Sequence, residues 1–581
     1  MSRHDDQCRK TAKPFDNGVP NDRALTSLVS VSVRWFKHCR GLWHSTLYNA
    51  PSALSTHARI RRRRHSVSPR ENSHFGSFVP NRATSAWGCR DGRRRVDSGR
   101  IGVTFPRGRR PTSNLVSVMF WVLALFAASG FSWLVPPMQS PDEDSHIFRA
   151  YMISKGELLL QPVPAHSTKP INDSEVAALI DRARRQEGRA GGLIAQELLT
   201  FSDGYMAVAR TAANRLTSSE RALLSQLEWT GEVQYYPIPG TGYYFPAVYA
   251  PQAAGLAAGQ LLNLSVSHSY HLMRACTLIA CFAMLWLGCR LLLPNPLIGA
   301  ILLLPMSLFQ LVSPTVDGLT TSLAVLTVSQ FLASIDLSRK HSPVLSWGLA
   351  ICIFVLATSR THLLPLLALP FYLAWQRQSR RDFYLGCAIA VATLAWILFA
   401  LQTTNDPRVV RGHTTTQLLM QYAADPLAYI KIVAASVGDA ELFSFYQQSF
   451  IGILGWLDTP LADYFYPVLW AGLALCALAS VSITTLQKDW SARLLLVAIA
   501  IASIGLIFLA MLVTWTPHPA SVVKGVQGRY FVVPAILLGY AASGSATRQQ
   551  PLRQWIGGLA VAGFALTSLT ALAMAVLGRY H

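Results

Sequence analysis

Asp142, Glu143 and Asp144, with His146 close behind, follow directly on an apolar run, Leu115 to Val135, that is long enough to cross a bilayer. Pro136, Pro137 and Pro141 stop a helix there, so the acids land where the chain leaves the apolar layer. Ionisable groups at that depth are costly unless they face water, a metal or a substrate, which marks the cluster as a candidate functional site. A carboxylate such as Asp142 or Glu143 can take a proton from a hydroxyl or hold a divalent metal. Asp144, His146 and Arg149 would then face the same ligand. A second reading stands beside this one: acids just after Pro141 complement the macrodipole of a helix running from Ser145 to Lys155.

Complementary groups recur downstream. Tyr244 lies in a Tyr-rich stretch with Tyr235, Tyr236 and Tyr243. Asp317 opens an apolar run, Arg360 separates two others, and Arg529 follows the string Gly525-Val526-Gln527-Gly528. Asp439 and Glu441 precede an aromatic patch, and Trp515-Thr516-Pro517-His518 leads through Lys524 towards Arg529. Arginine binds phosphate oxygens bidentately, so carboxylates and arginines at one rim suit a substrate with both a phosphate and a hydroxyl. The plainer readings are that Asp317 caps a helix beginning at Gly318, that Arg360 reaches to lipid headgroups, and that Arg529 anchors an aromatic belt with Tyr530 and Phe531.

The elements that must position these groups are apolar helices. The 581 residues are 51% hydrophobic and only 14% charged, against about 25% charged in an ordinary soluble protein. Mean hydropathy is +0.30. The short alternating strands of a membrane barrel are absent. The expected fold is all-α and integral to the membrane, a bundle of about eleven spanning helices near 115–135, 270–292, 296–313, 316–335, 343–358, 362–376, 383–402, 466–486, 492–514, 530–545 and 554–577.

The net charge of +21 is concentrated in one place. Residues 1–114 hold 23 Lys and Arg against 7 Asp and Glu, which is +16. Such a stretch, without a long apolar run, reads as a disordered tail. An upstream start codon is the competing explanation, since Met119 heads the first apolar run. Basic clusters alone are a weak nucleic-acid motif, and no nucleic-acid partner is expected. Cys276, Cys281, Cys289, Cys352, Cys387 and Cys476 all lie in apolar stretches and form neither a disulfide framework nor a zinc spacing.

With the Arg-rich N-terminus in the cytoplasm, the loops on that side carry Arg290, Arg339 and Lys340, Arg377, Arg380 and Arg381, Lys488 and Arg493, and Arg548 and Arg553, as the positive-inside rule asks. The C-terminus then falls outside. This requires that residues 247–263 form a re-entrant or interfacial helix rather than a full span. Domain 115–578 would carry two larger outer loops, about 136–245 and 402–466, and the candidate residues gather on their side.

Several strings taken together resemble one bacterial family. They are Pro141-Asp142-Glu143-Asp144-Ser145-His146-Ile147-Phe148-Arg149-Ala150, Tyr244-Phe245-Pro246-Ala247-Val248-Tyr249, Ser313-Pro314-Thr315-Val316-Asp317, Gly452-Ile453-Leu454-Gly455-Trp456-Leu457-Asp458-Thr459 and Gly525-Val526-Gln527-Gly528-Arg529-Tyr530-Phe531. The family is that of predicted multi-spanning membrane proteins filed as domain of unknown function 2142. Its layout is similar to the GT-C superfamily of membrane glycosyltransferases. That resemblance implies an enzyme of the bacterial inner membrane that uses a polyprenyl-phosphate-linked sugar and a glycan or lipid acceptor, among membrane lipids. Asp142 or Glu143 would be its base or metal-facing acid, and Arg360 and Arg529 would hold the donor phosphate. A divalent metal could neutralise the leaving phosphate, although nothing in the sequence demands one. A flippase of lipid-linked glycans should instead show mid-span charges or repeated halves, and neither is clear. A polysaccharide polymerase or ligase would use the same outer-face groups.

Overall fold

Apolar runs punctuated by proline dictate the architecture. The computed structural model describes residues 111–581, apart from 166–173, 187, 210, 212, 239, 339–340, 405, 409–412, 482–488 and 543–550. Of the expected basic tail, residues 1–110 lie outside the described residues. Residues 111–119 form the start of the helix Pro111–Leu134, and Phe120–His581 form one compact unit.

Among the described residues five helices are long and apolar enough to cross a membrane: Val266–Leu291, Val316–Ile335, Arg380–Thr403, Trp490–Thr514 and Trp555–Tyr580. Shorter apolar helices include Ala124–Leu134, Pro343–Ser359, Phe465–Ser480 and Gly528–Ala542. Two expected continuous segments are broken. Residues 296–313 form Pro296–Leu302 and Pro305–Val312, because Pro305 has no N–H to continue the ladder. Residues 362–376 begin as a 3₁₀ turn, Thr361–Leu367, with Pro365 inside it, before Ala368–Arg377. Phe309, Phe331, Leu356, Leu496 and Ile536 lie fully buried between helices. Phe126, Val391, Leu478 and Ile501 project outward, at 77%, 69%, 72% and 63% exposed, which is how helices face lipid rather than water.

The turns divide between two ends of the bundle. At one end, arginines meet the C-terminal carbonyls of neighbouring helices. Arg377 donates to Ser334 O at 2.8 Å, Arg493 to Ala541 O at 2.9 Å, and Arg553 to Leu478 O at 3.1 Å. Cations there satisfy orphan carbonyls and complement the macrodipole. The opposite end carries the candidate residues.

The segment after the first helix is not purely helical. It holds a three-stranded antiparallel sheet, β1 Gln161–Pro162, β2 Arg189–Ala195 and β3 Val233–Pro237, in the order β1-β2-β3. Tyr235 and Tyr236 of the Tyr-rich stretch belong to β3. The described chain is otherwise mostly helical, as expected of an all-α membrane protein, and the small sheet is confined to this segment. Ile147, Phe148, Phe201, Tyr249 and Tyr270 form a second buried core beneath it.

Within residues 247–263 the helix is Ala250–Leu261, 12 residues and about 18 Å long. It packs antiparallel on the first turns of Val266–Leu291: a Cβ on Gly255 would meet Met273, and one on Gly259 would meet Ser269. At that length it is shorter than the roughly 30 Å hydrocarbon core of a bilayer. Among the described residues of 402–466 are three capped helices, Thr415–Ala424, Pro426–Gly438 and Ala440–Gly452. Asp439 is spent as the last cap, accepting from the N–H of Glu441 and of Leu442, both at 3.0 Å.

Candidate functional site

Asp142 is the N-cap of the helix Glu143–Ser154 and has left-handed backbone, φ 59° and ψ 15°, yet its carboxylate makes no capping hydrogen bond. It turns instead to two arginines. Arg529 Nη2 lies 3.3 Å from its Oδ2, and Arg408 Nη1 lies 3.7 Å from its Oδ1. Capping accounts for the acid string as a helix start but not for where this side chain points.

The network extends from Arg529. Its Nη1 donates to Asp317 Oδ2 at 3.1 Å, and Asp317 also takes a short contact from Arg360 Nη2. Arg360 donates to the Tyr244 hydroxyl at 3.3 Å and lies 5.4 Å from that ring's centre. Asp317 does not cap its helix. Thr315 is the N-cap of Val316–Ile335, and Asp317 sits in the first turn, free to pair. Arg408 is held by Asp406, at 2.7 and 3.1 Å, and lies 5.2 Å from the Trp515 ring centre. Three carboxylates thus face three guanidinium groups across five separate chain segments.

Two glycines let the Arg529 segment approach. Gly525 has φ +81°, and Gly528 packs so closely that a Cβ would lie 2.0 Å from the Phe450 N. The Gly528 N–H donates to Ser449 Oγ at 2.8 Å. The string around Trp456 holds the other side. Trp456 Nε1 donates to Met138 O at 2.8 Å, fixing the loop that carries Asp142.

Glu143, the other catalytic candidate, staples the loop in this structure. It is fully buried and accepts from Met138 N at 3.1 Å, Ser140 N at 2.9 Å and the Tyr270 hydroxyl at 2.6 Å. Arg149, expected to face the ligand, also turns to backbone. It is fully buried and donates to the carbonyls of Glu157 and Leu158, tying off its own helix. Asp144 is half-buried in the first helical turn. His146 stays beside the network, its ring 6.0 Å from that of Tyr244 and its Nδ1 2.8 Å from the Tyr249 hydroxyl. His518 pairs with the Tyr422 hydroxyl at 3.0 Å instead of joining the cluster. Asp406 and Arg408 carry little sequence signal, a carboxylate and a cation flanking Pro407 just past an apolar run.

Electrostatics follow from the geometry. Burial works to raise the Asp142 pKa, but Arg529 and Arg408 outweigh it and hold the carboxyl below its usual range. Burial, reinforced by Arg360, holds His146 down to about 4, so it is neutral at physiological pH. Behind Asp317, Arg360 and Arg529 lies a cavity of about 20 Å³, also lined by Gln310 and Tyr530, which has room for roughly one water. A divalent metal does not fit this donor set: among the described residues no three of His, Cys, Asp or Glu converge, and guanidinium groups already meet the carboxylate charge.

Neither a curated protein nor a solved structure matches the chain. One family model does, that of a predicted membrane protein (DUF2142), over residues 125–538. That stretch contains Asp142, Tyr244, Asp317, Arg360, Arg408 and Arg529 alike, and the chain belongs to that family of multi-pass membrane proteins.

Proposed function

We propose that the protein is a glycosyltransferase-like enzyme of the bacterial inner membrane, working in cell-surface polysaccharide or glycolipid assembly on a polyprenyl-phosphate-linked sugar. The observation that carries this reading is the meeting of a half-exposed carboxylate, Asp142, with Arg529, Asp317 and Arg360 at one end of the bundle. In the GT-C-like scheme the acceptor hydroxyl oxygen attacks the anomeric carbon. The bond from that carbon to the phosphate oxygen breaks, and its electron pair leaves with the phosphate. Arg529 and Arg360 meet the charge that grows there, and fixed cations aimed at a developing charge give the strongest rate effect such a site can supply. The hydroxyl proton passes to Asp142. The Arg-capped end lies in the cytoplasm on this reading, and the Asp–Arg network faces outward, where lipid-linked sugars and acceptors meet. The charged network lies at the rim rather than along a passage, which favours surface chemistry over transport.

The test is Asp142→Asn in a host lacking its own copy, with membrane insertion confirmed and surface glycans assayed. Transfer should fall by about 10²-fold or more, the scale of a lost general base. Glu143→Gln should instead lower the amount of folded protein, with residual glycan tracking that amount. Wild-type glycan levels in inserted Asp142→Asn protein would refute the transferase.

A further inference from the structure

Asp142 is the weakest-held anion of its network. Asp406 grips Arg408 through two hydrogen bonds, at 2.7 and 3.1 Å, whereas Asp142 reaches Arg408 only at 3.7 Å and Arg529 at 3.3 Å. Its side chain is 44% exposed, against 14% for Asp317 and 13% for Asp406. Its backbone is left-handed, φ 59°, a conformation that glycine adopts more readily than any residue with a Cβ. If the Asp142 side chain swings out, three guanidinium groups face two carboxylates, leaving a surplus of one positive charge between Arg408 and Arg529. The Arg529 side chain is 5% exposed, and its Nε is buried without a hydrogen-bond partner. A buried donor of that kind needs an acceptor.

We propose that Arg408 and Arg529 form a cleft for a phosphate group and that Asp142 is the internal anion that occupies it until the ligand arrives. This deepens the transferase reading, rests on it for the identity of the ligand as a phosphate-linked substrate, and adds Arg408 as a binding residue. Tetrahedral phosphate presents more oxygens than a carboxylate and can engage both forks at once. Entry of phosphate breaks both contacts that hold Asp142. The carboxylate is then released beside the bound ligand, where an incoming hydroxyl would need it, and regains basicity as the two cations turn to the phosphate. The same residue guards the cleft when empty and serves it when full.

The experiment uses the full chain in lipid nanodiscs, with two probes: inorganic pyrophosphate, titrated by calorimetry, and a polyprenyl phosphate, followed by native mass spectrometry. Asp142→Asn should bind phosphate roughly tenfold more tightly than wild type, because one charged hydrogen-bond acceptor no longer competes. Asp142→Gly should do the same and also suits the left-handed backbone, so it keeps the test alive if the first variant folds poorly. Adding Arg408→Gln or Arg529→Gln to either should abolish the gain. Tightening for polyprenyl phosphate alone assigns the cleft to a lipid-linked group; tightening for pyrophosphate alone assigns it to a soluble one. No tightening for either probe in Asp142→Gly overturns the cleft, as does tightening that survives Arg408→Gln. Tighter binding with normal glycans in Asp142→Asn would leave the cleft standing and remove the transferase. Lost glycans without tightening would do the reverse.

Discussion

Adjacent carboxylates meet opposite fates in this protein. Asp142 and Glu143 differ by one position, and successive residues at a helix start point about 100° apart. Glu143 finds the Tyr270 hydroxyl and two backbone N–H groups and disappears into the core, while Asp142 faces Arg529 and Arg408. The cluster was legible in sequence, but not this division, which depends on Tyr270, 127 positions away, and on the backbone of Asp142. His146 adds a pH dependence at the same scale. Its pKa of about 4 lies below the ordinary 6.5. Between those values the unfolded chain binds a proton that the native one does not. Stability is therefore full above pH 6.5 and is lost as pH falls towards 4. The whole difference is about 3 kcal/mol. Thermal midpoints of the protein in nanodiscs should drop between pH 7 and pH 5. His146→Phe, which keeps a ring against Tyr244, should show a smaller drop; equal drops would exclude His146 as the titrating group.

Among the elements, the 3₁₀ turn Gly528–Phe531 does the most positioning for its length. A Cβ at residue 528 would lie 2.0 Å from a backbone nitrogen of the helix Ala440–Gly452, and backbone cannot step aside as a side chain can. Gly528→Ala should cost about 4 kcal/mol or more and lower the yield of folded protein. Gly130→Ala, with nothing within 4 Å of its Cβ, should leave the yield unchanged, and equal yields for the two would remove the close-approach argument. The glycines around Arg529 made that turn visible in sequence. The helix break before Pro305 was equally readable but was masked by the apolar run on both sides. The sheet was harder to see, because β2 and β3 are separated by two helices, Gln196–Met206 and Ser218–Ser225, and no tight-turn dipeptide announces their pairing. Arg408 was invisible for a related reason: Asp406-Pro407-Arg408 has no spacing that marks it, and only the fold brings it to Asp142.

At the scale of the whole molecule, charge is sorted by end. Arg377, Arg493 and Arg553 close helix C-termini at one end, and the Asp–Arg network occupies the other. The same arginines that orient a chain by the positive-inside rule also finish its helices. Orientation can be checked directly. Ser219→Cys and Ser338→Cys are both exposed positions on the two sides. An impermeant thiol reagent should label the first on intact cells and the second only after permeabilisation. The opposite pattern would place the network in the cytoplasm and exclude an outward-facing transferase.

The loop bearing Asp142 also has a partner at the far end of the chain. Met138 is held by Trp456, two residues from Asp458, and Asp458 is held by Arg579 at 3.0 Å from the last helix. His581 reaches Leu134 O at 3.0 Å. The first and last described helices, Pro111–Leu134 and Pro551–Tyr580, therefore share one clasp. Until the final turn of Pro551–Tyr580 is in place, Asp458 lacks Arg579 and the Leu134 carbonyl lacks His581, so the clasp behind the Asp142 loop stays incomplete.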